Sequence, residues 1–223
     1  MRLGFALPPR MGAKKIIWVH AVSVGEVLVV LNLIQKIQER LPGHGIVLST
    51  VTATGQALAL QKLQGKCPVI YAPFDLSWVV RKYVAILDPV LYISAETEIW
   101  PNLFTCLHKR NVPIVEVNGR ISDKAFAGYR KVYFLTRRVL RGVRLLCMQS
   151  QEDARRIIQL GADEKMVRVV GNLKFDNFHR ETPVKKEDLG FREQDRLFIA
   201  GSTYPGEEKI ILDVYNSLKI QFP

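Results

Sequence analysis

The sequence predicts an α/β protein built on a parallel, doubly wound sheet, and three observations carry that prediction. Short apolar runs rich in β-branched residues recur along the chain, helical patterns lie between them, and the two alternate at short intervals. Strands and crossover helices of a parallel sheet succeed one another in this way. The runs are also continuously apolar, as strands covered on both faces are.

Taken in order, IIWVHAV (16–22) opens the series and leads into a helical pattern over 26–40. GIVLSTV (45–51) precedes a helix over 55–64, and PVIYA (68–72) precedes one over 76–87. VLYISA (90–95) is followed by a helix over 100–110, where Pro101 suits the first turn. PIVEVN (113–118) leads to a helix over 126–141, RLLCMQS (144–150) to one over 151–160, and MVRVVG (166–171) closes the set. Beyond Gly171 the chain turns polar and charged. It reads as an N-terminal domain over 1–178 and a linker with a short helix over 179–195. The start of a second domain follows over 196–223, with RLFIAGSTYPGEE giving one strand, a turn and a helix. One strand and one helix cannot bury a core of their own. The chain therefore reads as a fragment, or as a domain cut early.

Composition narrows the function classes. The 223 residues are 48% apolar, enough for a sizeable core. The formal charge of +11, from 32 Lys and Arg against 21 Asp and Glu, attracts polyanions. No RNP-like motif, zinc-finger spacing or long Lys/Arg block points to nucleic acid. Cys67, Cys106 and Cys147 are scattered without ligand spacing, so they read as reduced core thiols and no metal site is expected from them. MRLGFALPPRMGAKK lacks the apolar region of a signal peptide, and no apolar run reaches the roughly 18 residues of a spanning helix. A soluble or peripheral protein is expected.

The unusual polar residues sit where strands end, and in an open α/β sheet that is where ligands bind. SVGE follows the first strand, TVTATG the second, APFD the third, AETEIWPN the fourth, NGRISD the fifth, QSQED the sixth and GNLKFD the seventh. Ser, Thr, Asp and Asn are also ordinary helix caps, and APFD and QSQED read best that way. In SVGEV, Gly25 removes a side chain where a ligand can approach, and Glu26 falls in the first helical turn. The helix dipole there favours an ionised carboxylate, so Glu26 is expected to be charged at neutral pH. It is either a base for an attacking hydroxyl or a first-turn acid that stabilises its helix. In AETEIWPN the two acids are two residues apart, so one can face the cleft while the other caps the next helix. Lys174 in GNLKFD can meet a phosphate or a developing anion, or be a solvated lysine. His20 reads as a core histidine. His44, His108 and His179 have no partner spacing.

Eight blocks, in order and spacing, resemble one family: IWVHAVSVGE, TVTATG, YAPFDLSW, AETEIWPN, NGRIS, SQEDARR…LGA, GNLKFD and AGSTYPGEE. They look like the 3-deoxy-D-manno-octulosonic acid (Kdo) transferases of lipopolysaccharide synthesis, over nearly the whole chain. The resemblance implies a GT-B fold, with two Rossmann-like domains facing one cleft. Its N-terminal domain would bind the lipid A precursor and its C-terminal domain CMP-Kdo. It places the general base on Glu26 and the transition-state-stabilising positions on Glu96 and Lys174. Substrate contacts would fall on Ser23, Gly25, Thr52, Thr54, Gly55, Arg120, Gly201 and Ser202. It implies no metal and no cofactor beyond the donor substrate, and a place on the cytoplasmic face of the inner membrane through peripheral contact with anionic lipid. The hydrophobic anchor with which members usually begin is absent, and Tyr204 stands where they commonly carry His. A sugar epimerase of the same architecture is disfavoured by ETEIWPN and GNLKFD. A non-catalytic module that binds an anionic glycolipid is the alternative from another class.

Overall fold

A computed structural model of the chain describes residues 2–3, 15–177 and 185–221. His179, Phe222 and most of the basic N-terminal stretch lie outside them. The chain divides into two compact units, 1–178 and 179–223.

The first unit is a seven-stranded sheet in the order β3-β2-β1-β4-β5-β6-β7. Its strands are β1 (Lys15–His20), β2 (His44–Thr50), β3 (Val69–Tyr71), β4 (Pro89–Ala95), β5 (Ile114–Gly119), β6 (Leu145–Met148) and β7 (Val167–Val169). Every neighbouring pair is parallel. The strand order reverses between β1 and β4, so a crevice opens there at the carboxyl edge. The intervening helices are α1 (Val24–Arg40), α2 (Ala53–Leu63), α3 (Ser77–Leu87), α4 (Pro101–Lys109), α5 (Asp123–Lys131), α6 (Tyr133–Leu140) and α7 (Gln151–Gln159).

The apolar runs supply both faces of the sheet. Alternate residues of one strand point to opposite sides, so Ile17 and Val19 of β1 pack with Val27, Val30 and Ile34 of α1 and Ala59 and Leu63 of α2. Ile16 and Trp18 of the same strand pack on the other side, with Val80, Tyr83 and Val84 of α3, Phe104 and Leu107 of α4, Leu140 of α6 and Ile157 of α7. Trp18 is the centre of that second core. It meets Tyr92 edge-on at 5.2 Å, and Tyr83 lies stacked at 6.4 Å.

Two elements differ from expectation. The helix expected over 126–141 is two helices, α5 and α6, with Val132 between them at φ −114°. The Thr136 hydroxyl bonds back across the break to the carbonyls of Tyr129 and Val132, both at 3.3 Å, alongside the backbone N–H groups those carbonyls accept. α5 also starts earlier, at Asp123, because the Ser122 hydroxyl accepts the Ala125 N–H and caps it.

In the second unit, α8 (Glu207–Gln221) forms as expected. Residues 196–201, expected as a strand, carry none. Among the described residues of the unit none forms a strand, so 196–201 has no ladder partner there. A short 3₁₀ turn (Lys186–Leu189) is tied by the Lys186 ammonium, which donates to the carbonyls of Glu193 and Asp195. Phe198 stacks on Tyr215 of α8 at 6.3 Å. Much of the apolar surface of α8 is exposed, including Ile210, Val214 and Leu218.

Candidate functional site

The crevice at the sheet's switch point is walled by the turns that follow β1 and β4. Ser23 stands at the N-cap of α1 in extended conformation, yet its hydroxyl makes no capping bond. It donates instead to Glu26 Oε1 at 3.0 Å, while the Val22 N–H donates to Oε2 at 2.7 Å. The turn thus folds the Glu26 carboxylate back over the start of its own helix. Glu26 is only 6% exposed, and burial, the largest influence, raises its pKa against the lowering effect of these two bonds. The nearby charge of Glu96 acts in the same direction as burial. Burial thus leaves the Glu26 carboxyl above its ordinary value, the direction that makes a carboxylate a stronger base.

Gly25 leaves open space beside this carboxylate, since a Cβ there would meet nothing nearer than Ser23 Oγ at 4.0 Å. Gly55 has the opposite reason to be glycine. A Cβ would come within 2.8 Å of Thr52 Oγ1 and 3.3 Å of the Ser23 backbone. The turn after β2 is pressed against the turn after β1. Val51 and Thr52 both donate N–H groups to the Val22 carbonyl, and Thr52 Oγ1 caps α2 by accepting the Gly55 N–H at 3.0 Å. Thr54 is exposed, with its hydroxyl 3.5 Å from that of Thr52. Thr52 and Gly55 thus have structural duties that support the Glu26 turn.

Glu96 follows β4 and sits at φ +58°, a left-handed conformation uncommon for a residue with a side chain. Its N–H donates to the Val117 carbonyl of β5 at 2.9 Å, and its carbonyl accepts from the Glu98 N–H at 3.1 Å. Glu98, expected either to face the cleft or to cap a helix, belongs to the cleft. Burial raises its carboxyl to about 7, and the charges of Glu26 and Glu96 add to the effect. The cap of α4 comes from elsewhere. Asp75 of the APFD turn accepts the N–H groups of Asn102 (3.0 Å) and Leu103 (2.8 Å) through its carboxylate, and the Asn102 amide through its carbonyl. QSQED is likewise a cap: Ser150 accepts the Asp153 N–H at the head of α7.

A buried polar row crosses the sheet beneath this carboxylate cluster. Registered side by side, Ser49 of β2, His20 of β1, Ser94 of β4 and Glu116 of β5 lie at the carboxyl end above the row of Trp18, Tyr92 and Ile114. Ser49 Oγ lies 2.9 Å from His20 Nδ1 and accepts the Trp18 indole N–H at 2.8 Å. Burial, the leading influence, takes His20 down to about 4, so the ring is neutral at pH 7. It is a core histidine, as the sequence indicated. Glu116 is the residue that sequence reasoning missed, with burial pushing it up to about 8. The signal was there: an acid in the middle of the apolar run PIVEVN.

Arg120 has an exposed side chain and donates its backbone N–H to Thr97 Oγ1 at 3.1 Å. Lys174 is exposed in a 3₁₀ segment (Leu173–Asn177) after β7. Its neighbour Leu173 donates an N–H to Asn118 Oδ1 at 3.0 Å, which ties this turn to the end of β5. Lys174 is not among the charges that act on Glu26 or Glu98. Gly201 and Ser202 belong to the second unit, both exposed, with Ser202 at φ +58°. The structure thus gathers Ser23, Gly25, Glu26, Thr52, Gly55 and Glu96 at one edge, adds Glu98 and Glu116, and brings the Lys174 turn to β5. Among the described residues no group of three or more His, Cys, Asp or Glu side chains is arranged to hold a metal ion.

These features define a Rossmann-like α/β domain with a carboxylate-lined crevice at its topological switch point. The fold recurs in solved structures: UDP-GlcNAc 2-epimerase from Neisseria meningitidis superposes with a TM-score of 0.54 at 9% identity, over 73% of this chain and 48% of that one. A Staphylococcus aureus MnaA–UDP complex gives 0.52 at 13% identity, over 76% and 50%. Sequence supplies the family. Residues 1–177 match the family model described as 3-deoxy-D-manno-octulosonic-acid transferase (kdotransferase), and the chain belongs to that family. The 3-deoxy-D-manno-octulosonic acid transferase of Haemophilus influenzae is 31% identical over 229 residues, covering 100% of this chain and 53% of that protein. A bifunctional glycosyltransferase/methyltransferase of Fusobacterium nucleatum is 37% identical over 212 residues, covering 91% of this chain and 32% of that protein. The chain thus spans about half of the first relative's length and a third of the second's.

Proposed function

We propose that this chain is the acceptor-binding half of a glycosyltransferase that moves Kdo from CMP-Kdo to the lipid A precursor, lipid IVA. One observation carries the reading: the turns bearing Glu26 and Glu96 flank the switch point of the sheet, from neighbouring strands β1 and β4, close enough for one charge to shift the other. Glu26 takes the proton of the acceptor hydroxyl as that oxygen bonds the anomeric carbon of Kdo. The bond from that carbon to the CMP oxygen breaks, CMP leaves with the electron pair, and configuration inverts. The raised pKa of Glu26 makes it a stronger base than an ordinary carboxylate. Glu96 and Lys174 stabilise charge as it shifts, and open space beside Gly25 admits the acceptor. Ser23, Thr52, Thr54, Gly55 and Arg120 line or shape the acceptor side. Gly201 and Ser202 serve the donor in a second Rossmann-like domain. The leaving phosphate is anionic from the start, so the reading calls for no resident metal.

We assign the site of action to the cytoplasmic face of the inner membrane, reached by peripheral contact. Phe134, 82% exposed, stands on α6 among Arg130, Lys131, Arg137, Arg138 and Arg141. Among the described residues no helix is long and apolar enough to cross a membrane. The deciding experiment is transfer of Kdo from CMP-Kdo to lipid IVA by the full-length protein. Glu26→Gln keeps the shape and removes the base, so the rate should fall by about two to four orders of magnitude. Transfer near the wild-type rate by that variant would refute the assignment.

A further inference from the structure

We propose that β5 is the positioning strand of this site: Glu116 holds the turn that carries Glu96, and Asn118 holds the turn that carries Lys174. The catalytic meaning rests on the roles given above to Glu96 and Lys174, whereas the holding rests on geometry alone.

Glu116 and Asn118 lie two residues apart on β5, where the pairing with β6 shifts register between Glu116 and Gly119. Both are fully buried, at 0% exposure. Glu116 Oε1 accepts the Thr97 hydroxyl at 3.1 Å, and Thr97 Oγ1 accepts the Arg120 N–H at 3.1 Å. With the Glu96 N–H bound to the Val117 carbonyl at 2.9 Å, the turn after β4 is fastened at three points, two on β5 and one on Arg120 just beyond it. Such fastening is what a left-handed glutamate requires. A side chain at φ +58° costs of the order of 1–3 kcal/mol and persists only where its surroundings over-determine it.

Asn118 does the same for the other turn. Its Oδ1 accepts the Leu173 N–H at 3.0 Å, one residue before Lys174, and its own carbonyl accepts the Gln149 side chain at 2.9 Å. It too is left-handed, at φ +57°. Each side chain spends one polar atom on its turn and leaves the other buried without a partner, Glu116 Oε2 and Asn118 Nδ2. An unpartnered buried polar atom opposes folding. Two of them on one strand are explained by what their partnered atoms hold. Turns separated by some 75 residues of chain, the interval from 97 to 173, are thereby set from one rigid element.

The test has two arms. In the first, amide hydrogen exchange is measured on the chain by NMR, with thermal unfolding to confirm the fold. Asn118→Gly, which also relaxes the backbone, should speed exchange at the Leu173 amide about tenfold or more, and Thr97→Val should do so at Arg120. Thr97→Val removes the Arg120 acceptor itself, whereas Glu116→Leu removes only the acceptor that fixes the Thr97 hydroxyl and should also speed exchange at Arg120. Glu116→Gln keeps that acceptor and should leave Arg120 protected. Equal protection in folded Glu116→Leu would overturn the role given to Glu116. Unchanged protection at both amides in folded variants would overturn the proposal. In the second arm, transfer by the full-length protein should lose about 10²-fold in kcat with Thr97→Val or Asn118→Gly while KM moves little, with Glu116→Gln near wild type. Faster exchange with kcat unchanged, alongside inactive Glu96→Gln and Lys174→Ala, would overturn the positioning role. Wild-type transfer by Glu96→Gln and Lys174→Ala would instead refute the functional reading, and the exchange arm alone would then decide whether β5 holds the turns.

Discussion

Glu116 has a thermodynamic signature of its own. Burial lifts its carboxyl from the ordinary 4.5 to about 8, the Thr97 hydroxyl pulls the other way, and the Glu98 charge raises it further. Tyr129 and Cys147 also feel its charge. Between those two pH values the folded chain holds a proton that the unfolded chain has released. Stability is therefore fully present below the ordinary carboxylate range and is lost as pH rises through about 8. Glu98, raised to about 7, and Glu26, raised by its burial, contribute with the same sign. Melting temperatures measured from about pH 5 to about pH 9 should fall in the wild type, and the fall should be smaller in Glu116→Gln. An equal fall in both would mean that Glu116 is not the buried acid described. The sequence displayed Glu26 and Glu96 because each stands at a strand-to-helix junction. It hid Glu116, because an acid inside an apolar strand announces burial but not its partner.

At the scale of elements, the alternation of apolar runs and helical patterns was enough to read all seven strands and the doubly wound sheet. Continuous apolar character is a direct consequence of cover on both faces. Breaks bridged by side-chain hydrogen bonds could not be read this way. The break between α5 and α6 falls at Val132, and the Thr136 hydroxyl bridges it to Tyr129. The cap of α4 comes from Asp75, across 27 residues of chain. Pattern within a window of one helix contains neither fact. The cap is testable: Asp75→Ala orphans the Asn102 and Leu103 amides and should cost roughly 1–2 kcal/mol, read as a drop in melting temperature. A change below about 0.5 kcal/mol would show that water replaces it fully. The missing strand at 196–201 teaches the complementary lesson, since a strand-like sequence makes a strand only when a neighbour offers its backbone.

For the whole molecule, the +11 charge becomes specific once it is placed. Arg130 and Lys131 end α5, Arg137 and Arg138 end α6, and Val132, Tyr133, Phe134 and Leu135 are all exposed between them. Cations around an apolar tip are the composition of an interfacial contact with acidic lipid. Liposome flotation should show binding that requires anionic lipid and weakens with salt, because the Debye length falls from about 10 Å at 0.1 M to about 3 Å at 1 M. Phe134→Ser together with Arg137→Glu should abolish it. Equal binding to neutral vesicles, or none to anionic ones, would remove this surface from the account.

The chain contains three tryptophans, and the architecture gives each a separate optical character. Trp18 is fully buried against Tyr83 and Tyr92 with its indole N–H bound to Ser49, so its emission is that of a shielded, hydrogen-bonded indole until the sheet itself comes apart. Trp78, 53% exposed, emits as a wet indole and supplies a constant red component. Trp100 stands between these extremes at the rim of the crevice, 6.3 Å edge-on from the His20 ring. A neutral imidazole quenches indole weakly and a protonated one strongly, so its signal will dim as His20 gains its proton near pH 4. The molecule thus carries a built-in fluorophore for global unfolding and another for the protonation state of its own crevice, with no label attached.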